Sequence, residues 1–156
     1  MTIHQHDNQA TLNALSNVKC ALYEIPERSD SINEIPTQSI TTNGDIRIGF
    51  HVPDDYVSLV GAKAYFVVSA GAAQTARDID LFSSYGAVGE LPNNHTESDT
   101  TSTYDLSAFS GEIFALDLSA VLTSLGGDDS GGIRIKNNTI GGALDYIMME
   151  FEYSIS

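Results

Sequence analysis

Residues Ile46 to Leu59 read IRIGFHVPDDYVSL, and the first half alternates between apolar and polar positions. Ile46, Ile48, Phe50 and Val52 fall on one side; Asp45, Arg47, Gly49 and His51 fall on the other. A period of two marks a half-buried β-strand, because successive side chains leave opposite faces of the pleat. The run stops at Pro53, which cannot donate to a ladder. Asp54 and Asp55 follow, two carboxylates that invite a catalytic or metal-binding reading. Aspartates after a proline also tie up loose loop amides through Asx turns, and Tyr56 can then lay its ring over the sheet edge. The VPDDY corner reads as structural, with no metal and no catalytic role.

The same period recurs downstream. GAKAYFVVSA is apolar on both faces, as a central strand is. ARDIDLFSS turns Ile79 and Leu81 inward and Asp78 and Asp80 outward, and TTSTYDL and EIFALDL follow, the latter with Phe114, Leu116 and Leu118 on one side. SAVLTSL predicts a short helical turn closed by Gly126-Gly127. GGIRIKN and DYIMMEFEYSI end the chain, with Ile147, Met149, Phe151, Tyr153 and Ile155 expected to share the buried face. Asn43-Gly44, set between two β-rich runs, predicts a hairpin. Seven or eight short strands with Gly, Asn and Pro turns indicate an all-β fold, an antiparallel β-sandwich of jelly-roll type, over residues 37–156.

The first 36 residues differ. All thirteen glycines fall between Gly44 and Gly142. The leading segment has none, yet it carries Leu12, Leu15, Val18, Leu22 and Ile25. It predicts an extended N-terminal arm, with one helical turn near Ala10 to Ala14, that docks those residues on its own body or on a neighbour. The steps Ile25-Pro26 and Ile35-Pro36 hold the chain extended.

Charge narrows the partners. Twenty-one acidic residues face seven basic ones in 156, a net charge of −14. The bases are scattered, so nucleic acid is not expected as a partner. No apolar run has the length of a membrane span and the start lacks a signal-peptide pattern, so neither membrane insertion nor secretion is expected. One cysteine, Cys20, excludes an internal disulfide and reads as an idle thiol.

Candidate chemistry is sparse. Asp78/Asp80 and Glu150/Glu152 are carboxylate pairs of the type glycoside hydrolysis uses, but each reads as a pair of solvent-facing strand acids. GGDDSGG, with Asp128 and Asp129, lacks the spacing of a dedicated calcium loop and reads as a polar turn. His4 and His6 supply only two ligands. Asn94-His95-Thr96 and Asn137-Asn138-Thr139 match the glycosylation sequon and read as exposed loops. Tryptophan is absent; Tyr56, Tyr65, Tyr85 and Tyr104 are the residues that could stack on a ligand. No catalytic residue and no cofactor is expected.

Four pieces, IGFHVPDDYVSLVGAKAYFVVSA, ARDIDLFSSYGAVGE, LGGDDSGGIRIKNN and DYIMMEFEYSIS, together resemble small jelly-roll virion accessory proteins of tailed phages. The likeness covers about Ile40 to Ser156, with Arg134 at the late strand arginine and Tyr153 at the closing tyrosine; Tyr65-Phe66 stands where a tryptophan is frequent. The resemblance implies a structural role on the virion. It would be a capsid decoration (cement) protein that binds the major capsid protein through its arm and assembles with itself as a homotrimer. The alternative it implies is the receptor- or carbohydrate-binding head of a fibre.

Overall fold

The computed structural model describes residues 18–23, 30–32, 35–69, 75–139 and 142–156. Among these residues the chain forms two antiparallel sheets packed on one core, an all-β sandwich. The strands are β1 (Val18–Tyr23), β2 (Asp30–Ile32), β3 (Ile35–Ile40), β4 (Asp45–His51), β5 (Tyr56–Val68), β6 (Arg77–Gly86), β7 (His95–Asp99), β8 (Thr103–Tyr104), β9 (Ile113–Asp117), β10 (Ser130–Asn137) and β11 (Leu144–Ile155). The first sheet runs β2-β3-β11-β5-β9, with β1 also on β11; the second runs β4-β10-β6-β7, with β8 also on β6. Ile46, Ile48 and Phe50 of β4, Phe66 of β5, Leu81 of β6, Ile133 and Ile135 of β10 and Phe151 of β11 meet between them.

Several expectations are corrected by these pairings. The Asn43-Gly44 turn is no hairpin, for β3 and β4 lie in different sheets. Asn43 takes the left-handed conformation (φ 58°) and the Gly44 amide closes the turn on the Thr41 carbonyl at 2.9 Å. Local turn chemistry was right, but the turn carries the chain across the sandwich. The helical turn after β9 is a single 3-10 turn, Ser119–Val121, and ends at Leu122 well short of the glycines. In β11 a bulge at Ile147, between the pairs Tyr146↔Phe66 and Met148↔Tyr65, resets the alternation. Leu144 and Tyr146 are therefore buried before it and Met149, Phe151 and Tyr153 after it, while Ile147 is only half-buried. Two further irregularities leave Val60 and Val57 of β5 without partners on β11, and both are exposed.

The boundary placed at residue 37 falls inside β3. The part of the proposed arm that is described belongs to the first sheet. Val18–Tyr23 pairs in register with Met149–Ser154, and β2 pairs with β3. Val18 is exposed at the edge, and Leu22 lies opposite Glu150. Leu12, Leu15 and Ile25, the helical turn near Ala10 to Ala14, and His4 and His6 lie outside the described residues. No helix among the described residues is long and apolar enough to cross a membrane.

Candidate functional site

The four tyrosines are not brought together. Tyr85 is corrected outright: it is fully buried, and its hydroxyl donates to Glu97 Oε1 at 2.6 Å. Burial, then the Glu97 carboxylate, push its pKa up. An odd-numbered position on β6 points into the core, where a large ring removes the most apolar area from water. Tyr56 packs on Phe151 and Tyr153, at ring distances of 6.4 and 6.1 Å, and Tyr104 sits edge-on to Phe114 at 6.3 Å. Tyr65 is half-buried on β5, with its hydroxyl donating to Glu150 at 3.3 Å.

The carboxylate pairs are likewise separated. Asp78 and Asp80 lie on β6 of the second sheet, Glu150 and Glu152 on β11 of the first. One pair cannot serve as acid while the other serves as base.

The VPDDY corner separates its two aspartates. Asp55 accepts an ion pair from Lys19 Nζ of β1 at 2.5 Å, which raises the lysine pKa. Asp54 meets Asp128 and His51, and the ligand atoms of all three lie within 4.8 Å of one another. A hydrogen bond with Asp54 raises the Asp128 pKa, since two adjacent carboxyls share a proton more readily than they share charge. Val52 and the GGDDSGG turn bring these residues together. The Val52 amide donates to the Asp129 carbonyl at 2.7 Å, and Asp128 adopts φ 69°. Asp129 is buried and accepts the Gly126 amide at 2.7 Å. His51, Asp54 and Asp128 are the described residues that could hold a divalent cation; sequence reading missed His51 because its role depends on where the chain returns.

A second cluster lies on the outer face of β4, β10 and β6. Antiparallel register sets Arg47 opposite Arg134, and Arg134 opposite Phe82. The next row sets Gly49 opposite Gly132 and Gly132 opposite Ser84; the row beyond sets His51 opposite Ser130. With no side chain on Gly132, a cleft of about 350 Å³ opens, lined by Arg47, Arg134, Phe82, Ser84 and Gly132 among others. The Arg134 guanidinium lies 4.0 Å over the Phe82 ring, a cation–π contact that fixes its plane. Arg47 has Asp45 at 3.6 Å. The sequence does hold a signal for this cluster: Arg47-Ile48-Gly49 and Gly132-Ile133-Arg134 are mirror images. Only antiparallel pairing of β4 with β10 makes arginine meet arginine and glycine meet glycine.

No family model matches the chain and no curated protein matches it. Among solved structures it is similar to dimeric latent PorU from Porphyromonas gingivalis, with 14% identity and a TM-score of 0.47. The match covers 90% of this chain and 13% of that one. A likeness of that size carries no functional argument.

Proposed function

We propose that the chain is a non-catalytic binding module whose working surface is the cleft on the outer face of the second sheet. In the terms of the phage resemblance it corresponds to the ligand-binding head of a fibre. The observation that carries this reading is the mirrored register, which opens a gap beside two arginines on an otherwise acidic protein. Strand orders β3-β11-β5-β9 and β4-β10-β6-β7 support the jelly-roll connection pattern, with the chain from β3 onward crossing between sheets at every step except from β6 to β8. A glycan array probed with the intact chain tests the reading. Binding that is lost in Gly132→Leu, with the fold retained, is the expected result; binding unaffected by Gly132→Leu would place the working surface elsewhere.

Capsid decoration, with the major capsid protein and a homotrimeric body, is the second reading. Val18, Val57 and Val60 favour it, for all three are exposed and the register sets Val18 opposite Ser154, itself opposite Ser58. Hundreds of copies per purified virion, and a trimer by light scattering, are its expected results. A few copies per particle would return the assignment to a fibre.

A further inference from the structure

Glycine inside a strand weakens it relative to alanine unless the backbone or a neighbour requires it. Gly131 has such a reason: a Cβ there would collide with the Ser84 carbonyl and the Tyr85 side chain. Gly49 and Gly132 have none. Neither has a positive φ, and a Cβ would come no closer than 3.9 Å to the Gly131 carbonyl oxygen or 3.6 Å to that of Ile48. The backbone would accept a side chain at both positions, so what the two glycines achieve is an empty row.

The row beside it carries an unfavourable arrangement. Like charges directly opposite on paired strands destabilise a sheet, yet Arg47 faces Arg134. One row earlier the same strands place Lys136 between Asp45 and Asp80. Arg134 has no carboxylate partner among the described residues, although the chain has 21 acids to supply one. Its plane is set against Phe82, which leaves the edges of the guanidinium to meet a ligand. Hydroxyl groups flank the empty row: Ser84 beside Gly132, Thr96 beside Ser84, and Ser130 two residues from Gly132. Arg47 lines the cleft on β4. His51, four residues or about 13 Å further along the strand, is engaged through Nδ1 with the Ser130 hydroxyl at 2.8 Å. The trough between them is long enough for one sugar ring.

We infer that this trough binds a saccharide bearing a carboxylate. The carboxylate bridges Arg47 and Arg134, the ring lies over Gly49 and Gly132, and the Ser84 hydroxyl is within reach of the ring hydroxyls. A free oxyanion would need only the arginines; the empty row accommodates bulk beside the charge. The assignment rests on the binding-module reading above and adds the class of ligand.

Calorimetric titration of the intact chain with a panel of acidic oligosaccharides, each beside its carboxyl-methylated counterpart, and with sodium sulfate, tests it. The acidic form should bind and its ester should bind about tenfold or more weakly, the loss expected for a charge-assisted hydrogen bond. Arg134→Gln and Arg47→Gln should each reproduce that loss without lowering the melting temperature, since each removes a like-charge pair. Gly132→Leu should block binding, and Gly132→Ala, which the backbone accommodates, should weaken it if the leucine variant does not fold. Equal binding of acid and ester, still blocked by Gly132→Leu, would overturn the acidic class and leave the binding module standing. Sulfate binding as tight as the best acidic oligosaccharide would overturn the saccharide. Failure of every acid and ester to bind would overturn both readings.

Discussion

Asn137 joins three parts of the chain through one buried side chain. Its Nδ2 donates to the Gly142 carbonyl at 2.9 Å and the Ile40 carbonyl at 3.2 Å, while its Oδ1 accepts the Thr139 amide at 3.3 Å. Its backbone meets Asn43 and Gly44, at 2.7 and 3.0 Å, so the turn between the sheets closes on it. Reading this residue as an exposed sequon was wrong, because Asn-Asn-Thr looks like a loop until the returning carbonyls are in place. Asn137→Ala leaves buried carbonyls without donors, each costing about 1–3 kcal/mol. Urea unfolding should lose about 2–4 kcal/mol with an unchanged slope; a loss near zero would mean that water replaces the amide. Glu97 offers the matching acid-side test. Burial alone would push its carboxyl up, but the Tyr85 hydroxyl and the Thr123 and Ser124 amides outweigh that and hold it at about 2. Its pKa is lower folded than unfolded, so its stabilisation is complete above about pH 4.5 and fades as pH falls towards 2. Glu97→Gln should therefore be less stable than the wild type at pH 7, and the difference should shrink across that window. A pH-independent difference would refute the assignment. None of this network was legible in the sequence, because Glu97 sits in the polar run HTESD, where no apolar period marks β7.

At the scale of elements, the strands with alternating apolar side chains were legible and those without were not. IRIGFH, ARDIDLFSS and GGIRIKN gave β4, β6 and β10 because the core selects every second residue. β1, β2 and β7 lacked that pattern; they are edge strands, each paired along one side. The arm's sequence left open whether it docks on its own body, and for Val18–Tyr23 the answer is β11. The cleft was half-legible: the mirrored tripeptides are visible, but their juxtaposition needs the register. An edge strand matters to stability through the backbone groups it satisfies on its neighbour. Deleting residues 1–36 removes β1 and β2 and cuts into β3, exposing the edge of β11 from Met149 to Ser154 while Gln38–Ile40 still cover Leu144–Tyr146. The truncated chain should aggregate or melt well below the intact protein. A soluble fragment with an unchanged melting temperature would show that these strands add little, and would restore the arm as a separable anchor.

For the whole molecule the dominant fact is charge. A net −14 spread over a small sandwich repels itself, and repulsion disfavours the compact state. Opposing attraction is slight: the ion pairs of defined geometry among the described residues are Lys19–Asp55 and Arg47–Asp45, both at exposed positions. Exposed pairs contribute about 0–1 kcal/mol each, so screening should relieve more repulsion than it removes attraction. Raising sodium chloride from about 10 to about 100 mM shortens the screening length from about 30 to about 10 Å, and the melting temperature should rise by several degrees. The cleft should respond with the opposite sign. There two cations face an anionic ligand, so the same salt that stabilises the free protein should weaken binding of an acidic saccharide. The two trends can be read from one set of samples, by calorimetry with and without ligand. A melting temperature that falls with salt would mean that attractive pairs outweigh the net charge. Ligand affinity indifferent to salt, beside a rising melting temperature, would mean that the arginines do not carry the contact.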